Sequence, residues 1–189
     1  MSPKRTSCPH RNTPLQRRSR GFSMIELLSV ASIAITAVGA SVGSAKTLML
    51  TQRLQGMATE VESSVQLARS HAISQGQTVY LAIQQQDGAA CVLTHTGERG
   101  ACTCQANGAA ICQGEAELLQ HSRLDTSTGV RVQTNASTMA FSALRGMATP
   151  TATIRLIDSQ GRALHQIVNV MGRTRTCSPK PAIAGYKAC

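Results

Sequence analysis

The pattern of apolar and polar positions divides the chain into a helical first part and a strand-rich second part. Residues 22–42 are apolar or small except for Glu26, and 21 helical residues at ~1.5 Å each match the ~30 Å core of a membrane. Apolar residues then recur every three or four positions over residues 50–72. The spacing predicts one helix from residue 22 to about 74, which ends at Gly76, a residue suited to a helix C-terminus.

After Gly76 the apolar period changes to two. Val79, Leu81 and Ile83 alternate with polar residues or alanine, as in a half-buried strand. Further strands are predicted at residues 90–94, 117–121, 130–133, 138–143, 153–157 and 163–170. The pattern therefore predicts an α+β architecture with an antiparallel sheet packed on the long helix. Residues 95–116, rich in Gly, Ala and Cys, show little periodicity.

The net charge of +10 is unevenly distributed along the chain. The first 21 residues carry six basic and no acidic side chains, residues 22–120 have net charge −3, and residues 121–189 have +7. Because Arg17, Arg18 and Arg20 directly precede the apolar run, the positive-inside rule places the N-terminus in the cytoplasm and the rest outside. The chain has no Trp, two Phe and two Tyr, which argues against a base-stacking platform and an aromatic-lined pocket.

Six cysteines follow the apolar run, in an even number that three disulfides would use. An oxidising space outside the membrane favours disulfides. Cys177 and Cys189 are the most natural pair because they close a short loop in the tail, whereas the pairing of the others stays open: Cys91, Cys102, Cys104 and Cys112. The alternative is a zinc site that adds His95 or His121, but the cysteine spacing is not that of usual zinc sites, so no metal is predicted. No histidine has a recognised spacing to a nucleophile and a carboxylate, so neither an enzyme nor a cofactor is predicted.

Glu26 is the one charge within the apolar run. A charge at the centre of a membrane helix costs about 2.5–3.5 kcal/mol, and such residues are usually functional and paired. Lys46 is the next basic residue, 20 positions further on, so the partner must come from another chain or a terminus. The carboxylate argues against a plain membrane anchor, and the lack of a convincing Ala-x-Ala site argues against an ordinary cleaved signal.

The segment Gly21-Phe22-Ser23-Met24-Ile25-Glu26-Leu27-Leu28, after its basic leader, resembles the class III signal of type IV pilins and type II secretion pseudopilins. This resemblance implies that a prepilin peptidase cleaves after Gly21 and methylates the amine of Phe22. It also implies that Glu26 attracts the terminal amine of a neighbouring subunit during assembly. The implied organisation is a leader over 1–21, a transmembrane and assembly segment over 22–49, and a periplasmic head over 50–189.

Two further segments resemble the FimT/GspH family of minor pilins and pseudopilins: Ala68-Arg69-Ser70 through Gly76-Gln77, and Arg145-Gly146-Met147-Ala148-Thr149-Pro150. With the leader and the tail, the likeness spans most of the chain except residues 95–116. It implies a type IV pilin-like fold, a single-pass inner-membrane protein, and later extraction into a pilus or pseudopilus. The implied partners are other minor and major pilins or pseudopilins.

The tail contains Gly172-Arg173-Thr174-Arg175, with Lys180 and Lys187 in the loop that a Cys177–Cys189 bridge would close. In an extended backbone both arginines lie on one face, about 6.6–7 Å apart, and can reach adjacent phosphates. From charge alone, a solvated surface or pairing with a neighbouring subunit's acids is the alternative. Gly-Arg-x-Arg here is similar to the DNA-binding motif of FimT-type minor pilins of natural transformation, which implies double-stranded DNA as a partner. GspH-type pseudopilins share the fold, so the alternative function is a minor pseudopilin of type II secretion that binds no DNA.

Overall fold

The computed structural model describes residues 23–86, 88–180 and 183–189, and side chains at these positions other than 36–44. The predicted helix is present as α1, which spans Met24–Gln75. Gly76 follows with a φ of 63°, the left-handed conformation in which glycine commonly ends a helix. The predicted end of the helix is therefore confirmed.

The chain divides into two compact units between Val42 and Gly43. In the first unit, the large apolar side chains described on α1 are solvent-exposed: Met24, Ile25, Leu27, Leu28, Val30, Ile33 and Ile35. No helix carries a membrane-crossing apolar stretch among the residues for which the structure gives a description. The predicted cleavage residues Gly21 and Phe22 lie outside the described residues.

The described residues of the second unit form three antiparallel sheets. The described residues form eleven strands: β1 (Val79–Gln86), β2 (Ala89–His95), β3 (Cys102–Cys104), β4 (Ala110–Cys112), β5 (Leu118–Asp125), β6 (Val130–Thr134), β7 (Thr138–Phe141), β8 (Ala148–Thr149), β9 (Ala152–Asp158), β10 (Ala163–Val168) and β11 (Thr174–Cys177). The strand orders are β5-β2-β1-β7-β8, β11-β10-β9-β6 and β3-β4. The α+β architecture is confirmed, with two larger sheets and a two-stranded ribbon where the sequence predicted one sheet. Four strands were not predicted: β3, β4, β8 and β11.

The outer half of α1 packs against buried residues of both larger sheets. Its buried residues recur at the predicted spacing of three and four: Leu54, Ala58, Val61, Val65, Ala68 and Ala72. They form one hydrophobic core with buried residues of both sheets, including Leu81, Met139, Phe141, Ile154, Leu156 and Leu164. Burial of this apolar stripe, rather than intrinsic propensity, supplies most of the stability of such a helix.

A buried ion pair joins the β9–β10 turn to α1. Asp158 is 1% exposed, and its Oδ1 accepts the backbone N–H groups of Gln160 and Arg162, each at 2.9 Å. The Arg162 Nε donates to Asp158 Oδ2 at 2.9 Å. The same guanidinium donates to Thr51 Oγ1 at 2.9 Å and to the Thr47 carbonyl at 3.3 Å. The four-stranded sheet is thereby tied to the helix through one arginine.

Candidate nucleic-acid interface

The predicted basic segment forms an edge of the four-stranded sheet. Strand β11 pairs with β10, and Arg175 lies opposite Ile167. Arg173 lies one residue before β11, where its carbonyl accepts the Asn169 N–H at 3.0 Å. The Arg173 N–H donates to Asn169 Oδ1 at 3.0 Å. Hydrogen bonds on both sides therefore fix the Arg173 backbone, while the side chains of Arg173 and Arg175 are exposed.

Gly172 permits an unusually close approach between the β10–β11 turn and the rest of the head. Its φ is 68°, and its N–H donates to the Asn169 carbonyl at 2.9 Å. A Cβ at this position would lie 2.2 Å from the carbonyl oxygen of Gly146 and 3.0 Å from Cδ of Arg69. Three segments that the sequence singled out, around Arg69, Gly146 and Gly172, thus meet at one place and position Arg173.

Arg173 also borders a surface groove of about 480 Å³ beside α1. The groove is lined by Glu62, Gln66, Arg69, Ser70, Gly172, Arg173 and Thr174. The Nε of Arg69 is buried there and has no hydrogen-bond partner among the described residues. Two guanidinium groups and one carboxylate therefore border the groove, which gives this end of the sheet edge an excess of positive charge.

The last residues return to the end of β11. The Ser178 N–H donates to the Lys187 carbonyl at 2.9 Å, and Cys177 forms a disulfide with Cys189. Ile183 is buried in the core, which holds the tail against the head. Lys180 and Lys187 are exposed. Within the described part of the chain, none of the tail cations forms an ion pair with a carboxylate: Arg173, Arg175, Lys180 and Lys187.

The four cysteines with open pairing form two further disulfides. Cys91 on β2 is bonded to Cys104 on β3, and Cys102 is bonded to Cys112 across the β3–β4 ribbon. A ring nitrogen of His121 and the Cys91 and Cys104 sulfurs lie within 4.8 Å of one another. Thiolates are the metal-ligating form of cysteine, so these bonded sulfurs offer no such ligand. The segment with little periodicity is therefore a disulfide-bonded ribbon.

Glu26 lies in the first turn of α1, in the first unit, with an exposed side chain. Its backbone N–H donates to the Ser23 carbonyl at 3.0 Å. An acidic side chain in the first turn interacts favourably with the helix dipole.

Sequence reasoning missed two arginines on the four-stranded sheet, Arg131 on β6 and Arg155 on β9, both exposed. Arg155 lies opposite His165 of β10. Partial burial lowers the pKa of His165, and the positive charge of Arg155 lowers this pKa further. Alternation within the predicted strands put each arginine on a polar face, but no sequence signal brought β6 and β9 together.

A family model described as "Type II transport protein GspH" matches residues 57–172. The match ends at Gly172, so Arg173 and the following residues lie beyond it. Among curated proteins, no sequence matches the chain.

Two solved structures are similar to the chain. The type IV minor pilin FimU of Pseudomonas aeruginosa is 15% identical, with 68% of this chain and 94% of that chain covered and a TM-score of 0.50. The minor pseudopilin EpsH of the Vibrio cholerae type 2 secretion system is 13% identical, with 68% and 98% covered and a TM-score of 0.46. At 15% identity, the likeness to FimU establishes the fold.

Proposed function

The chain belongs to the GspH family and is a minor pilin or pseudopilin, and on this premise we propose that its C-terminal basic tail binds duplex DNA. The observation that carries the proposal is the set of exposed tail cations without a described carboxylate partner. Arg173 and Arg175 are about 7 Å apart along an extended backbone, so they can reach neighbouring phosphates. Because the disulfide and the buried Ile183 order the tail beforehand, binding loses less conformational entropy.

The alternative is a minor pseudopilin of type II secretion that contacts proteins only. The description of the family model as a type II transport protein favours it. In that function, the tail cations would pair with acidic side chains of a neighbouring subunit.

DNA binding by the tail is expected to be weak and strongly salt-dependent. Each phosphate contact contributes about −0.9 to the slope of log affinity against log salt. With a few contacts, the total slope should be about −2 to −4. Replacing Arg173 and Arg175 together by Gln should make the slope shallower by about 2, because two phosphate contacts are lost. Fluorescence anisotropy of the full chain in detergent with duplexes of unrelated sequence measures this.

The matched control is the double variant Arg99→Gln/Arg123→Gln. It removes the same charge from exposed positions outside the four-stranded sheet. This control should keep nearly the wild-type slope. If the tail variant also keeps the wild-type affinity and slope, the secretion alternative replaces the DNA proposal.

We extend the proposal to topology and assembly. Residues 1–21 act as a leader that prepilin peptidase removes after Gly21, with methylation of Phe22. Residues 22–49 anchor the subunit in the inner membrane with a cytoplasmic N-terminus, and residues 50–189 form the periplasmic head. The exposed apolar side chains of residues 24–35 support this, since they need lipid or other pilin helices as partners.

Glu26→Ala should leave membrane insertion intact, because it removes a charge that is costly in a membrane. Incorporation into filaments should fall by roughly three- to twentyfold, since polar pairs between membrane helices contribute about 0.6–1.7 kcal/mol. Immunoblots of sheared filaments and membrane fractions give the ratio. Glu60→Ala, the same substitution further along α1, should assemble normally. Equal filament recovery of both variants would remove Glu26 from the assembly step.

A further inference from the structure

The outward face of the four-stranded sheet carries a stripe of positive charge. Residues opposite each other in antiparallel strands point to the same face, as do residues two apart in one strand. Arg175 lies opposite Ile167, which lies opposite Thr153. Arg155 lies two residues after Thr153 on β9, and Ile157 lies two residues after Arg155. Ile157 is opposite Arg131 of β6. Register therefore places the three arginines of β6, β9 and β11 on one face.

This face is open to solvent. Arg131, Arg155 and Arg175 are all exposed. The other face of the same sheet supplies the core through Val132, Ile154, Leu156, Leu164 and Val168. The arginines therefore lie on the side of the sheet away from α1.

Among the described residues of these four strands, no acidic side chain on this face neutralises the stripe. The four strands contain one acidic residue, Asp158, which is buried and paired with Arg162. The half-buried His165 lies opposite Arg155; burial lowers the pKa of His165, and the positive charge of Arg155 lowers this pKa further. A row of cations without acids is a binding surface for a polyanion.

The dimensions of the stripe suit a nucleic-acid backbone. Adjacent strands are ~4.8 Å apart and residues along a strand ~3.4 Å apart. Arg155 is two strands and two residues from Arg175, a backbone separation of roughly 12 Å. Arg131 is one strand and two residues further, roughly 8 Å more. The stripe thus runs diagonally for about 20 Å and begins at the tail, and duplex DNA presents one charge per ~1.7 Å of axis.

We propose that duplex DNA held by the tail continues across this sheet face, where Arg131 and Arg155 contact its phosphates. The inference rests on the proposed function. Strands β6, β9, β10 and β11 contain no Phe, Tyr or Trp, so the face has no platform for stacking unpaired bases. The surface therefore contacts the backbone of a duplex, independently of its sequence.

The test is the double variant Arg131→Gln/Arg155→Gln of the full chain in detergent, titrated with duplex DNA at several salt concentrations. Loss of two phosphate contacts should make the salt slope shallower by about 2. At ~0.1 M salt, affinity should fall by roughly 60-fold if the affinities converge near 1 M. The control Arg99→Gln/Arg123→Gln should change neither the salt slope nor the affinity. All four positions are exposed, so thermal melting should be nearly unchanged in both double variants.

His165 provides a direct reporter of the same face. Addition of duplex DNA should shift its imidazole NMR signals, whereas those of His95, buried on β2 of the other sheet, should stay in place. If the Arg173→Gln/Arg175→Gln variant weakens binding but the Arg131→Gln/Arg155→Gln variant behaves as the control, the sheet inference is overturned and the tail proposal stands. If the tail variant keeps the wild-type slope, the tail proposal itself fails. A shallower salt slope in both double variants supports both the tail proposal and the sheet inference.

Discussion

Replacing Gly172 by alanine is expected to destabilise the protein by about 2–5 kcal/mol. A left-handed backbone costs a non-glycine residue roughly 1–2 kcal/mol, and Gly172 has a φ of 68°. The new Cβ would also lie 2.2 Å from the Gly146 carbonyl oxygen. Backbone at this position cannot move aside as a flexible side chain can, and such overpacking costs about 1–3 kcal/mol more. Chemical denaturation of wild type and variant measures the difference.

The control for Gly172→Ala is Gly161→Ala in the β9–β10 turn. Gly161 has a φ of 79°, but a Cβ there would meet nothing within 4 Å. The free energy of unfolding of this variant should fall only by the conformational cost of about 1–2 kcal/mol. Equal losses of unfolding free energy in the two variants would show that the close approach to Gly146 does not contribute to stability. A larger loss at Gly172 would establish that the turn holding Arg173 is fixed by packing.

Asp158→Ala is expected to cost about 3–5 kcal/mol, because it removes one partner of a buried ion pair. It also removes the acceptor for the N–H groups of Gln160 and Arg162, and with it the turn that places Arg162 against Thr51. The free energy of unfolding from urea titration is the measurement.

Asp125→Ala is the matched control for Asp158→Ala. Asp125 also accepts a backbone N–H two residues on, from Ser127 at 2.9 Å, but it is exposed. The Ser127 hydroxyl and N–H hold the pKa of Asp125 below its usual value. Its removal should cost clearly less than that of Asp158, because no buried cation loses its partner. A loss at Asp158 as small as that at Asp125 would contradict the role assigned to the buried pair.

Local patterns predicted most elements of the fold. The spacing of apolar residues from Leu50 to Ala72 predicted the buried stripe of α1, and Gly76 predicted its end. Alternation predicted seven strands: β1, β2, β5, β6, β7, β9 and β10. These predictions succeeded because periods of 3.6 and 2 are properties of a single segment.

Elements that depend on distant partners were not predicted. The β3–β4 ribbon is held by disulfides, and its residues have no apolar alternation for a pattern to detect. Strand β8 has two residues and depends on its pairing with β7. Strand β11 reads as a polar tail in the sequence and becomes a strand by pairing with β10. In each case the missing information is a contact made elsewhere in the chain.

The sequence by itself determined the α+β class, the long helix and the basic tail. Only the tertiary structure decided that Arg69, Gly146 and Gly172 meet, and that β6 and β9 are neighbours. The physical reason is that side-chain alternation is local, whereas strand order follows from how both sheets bury the stripe of α1. The tail motif recognised in the sequence therefore lies at one end of a basic stripe that runs across the four-stranded sheet.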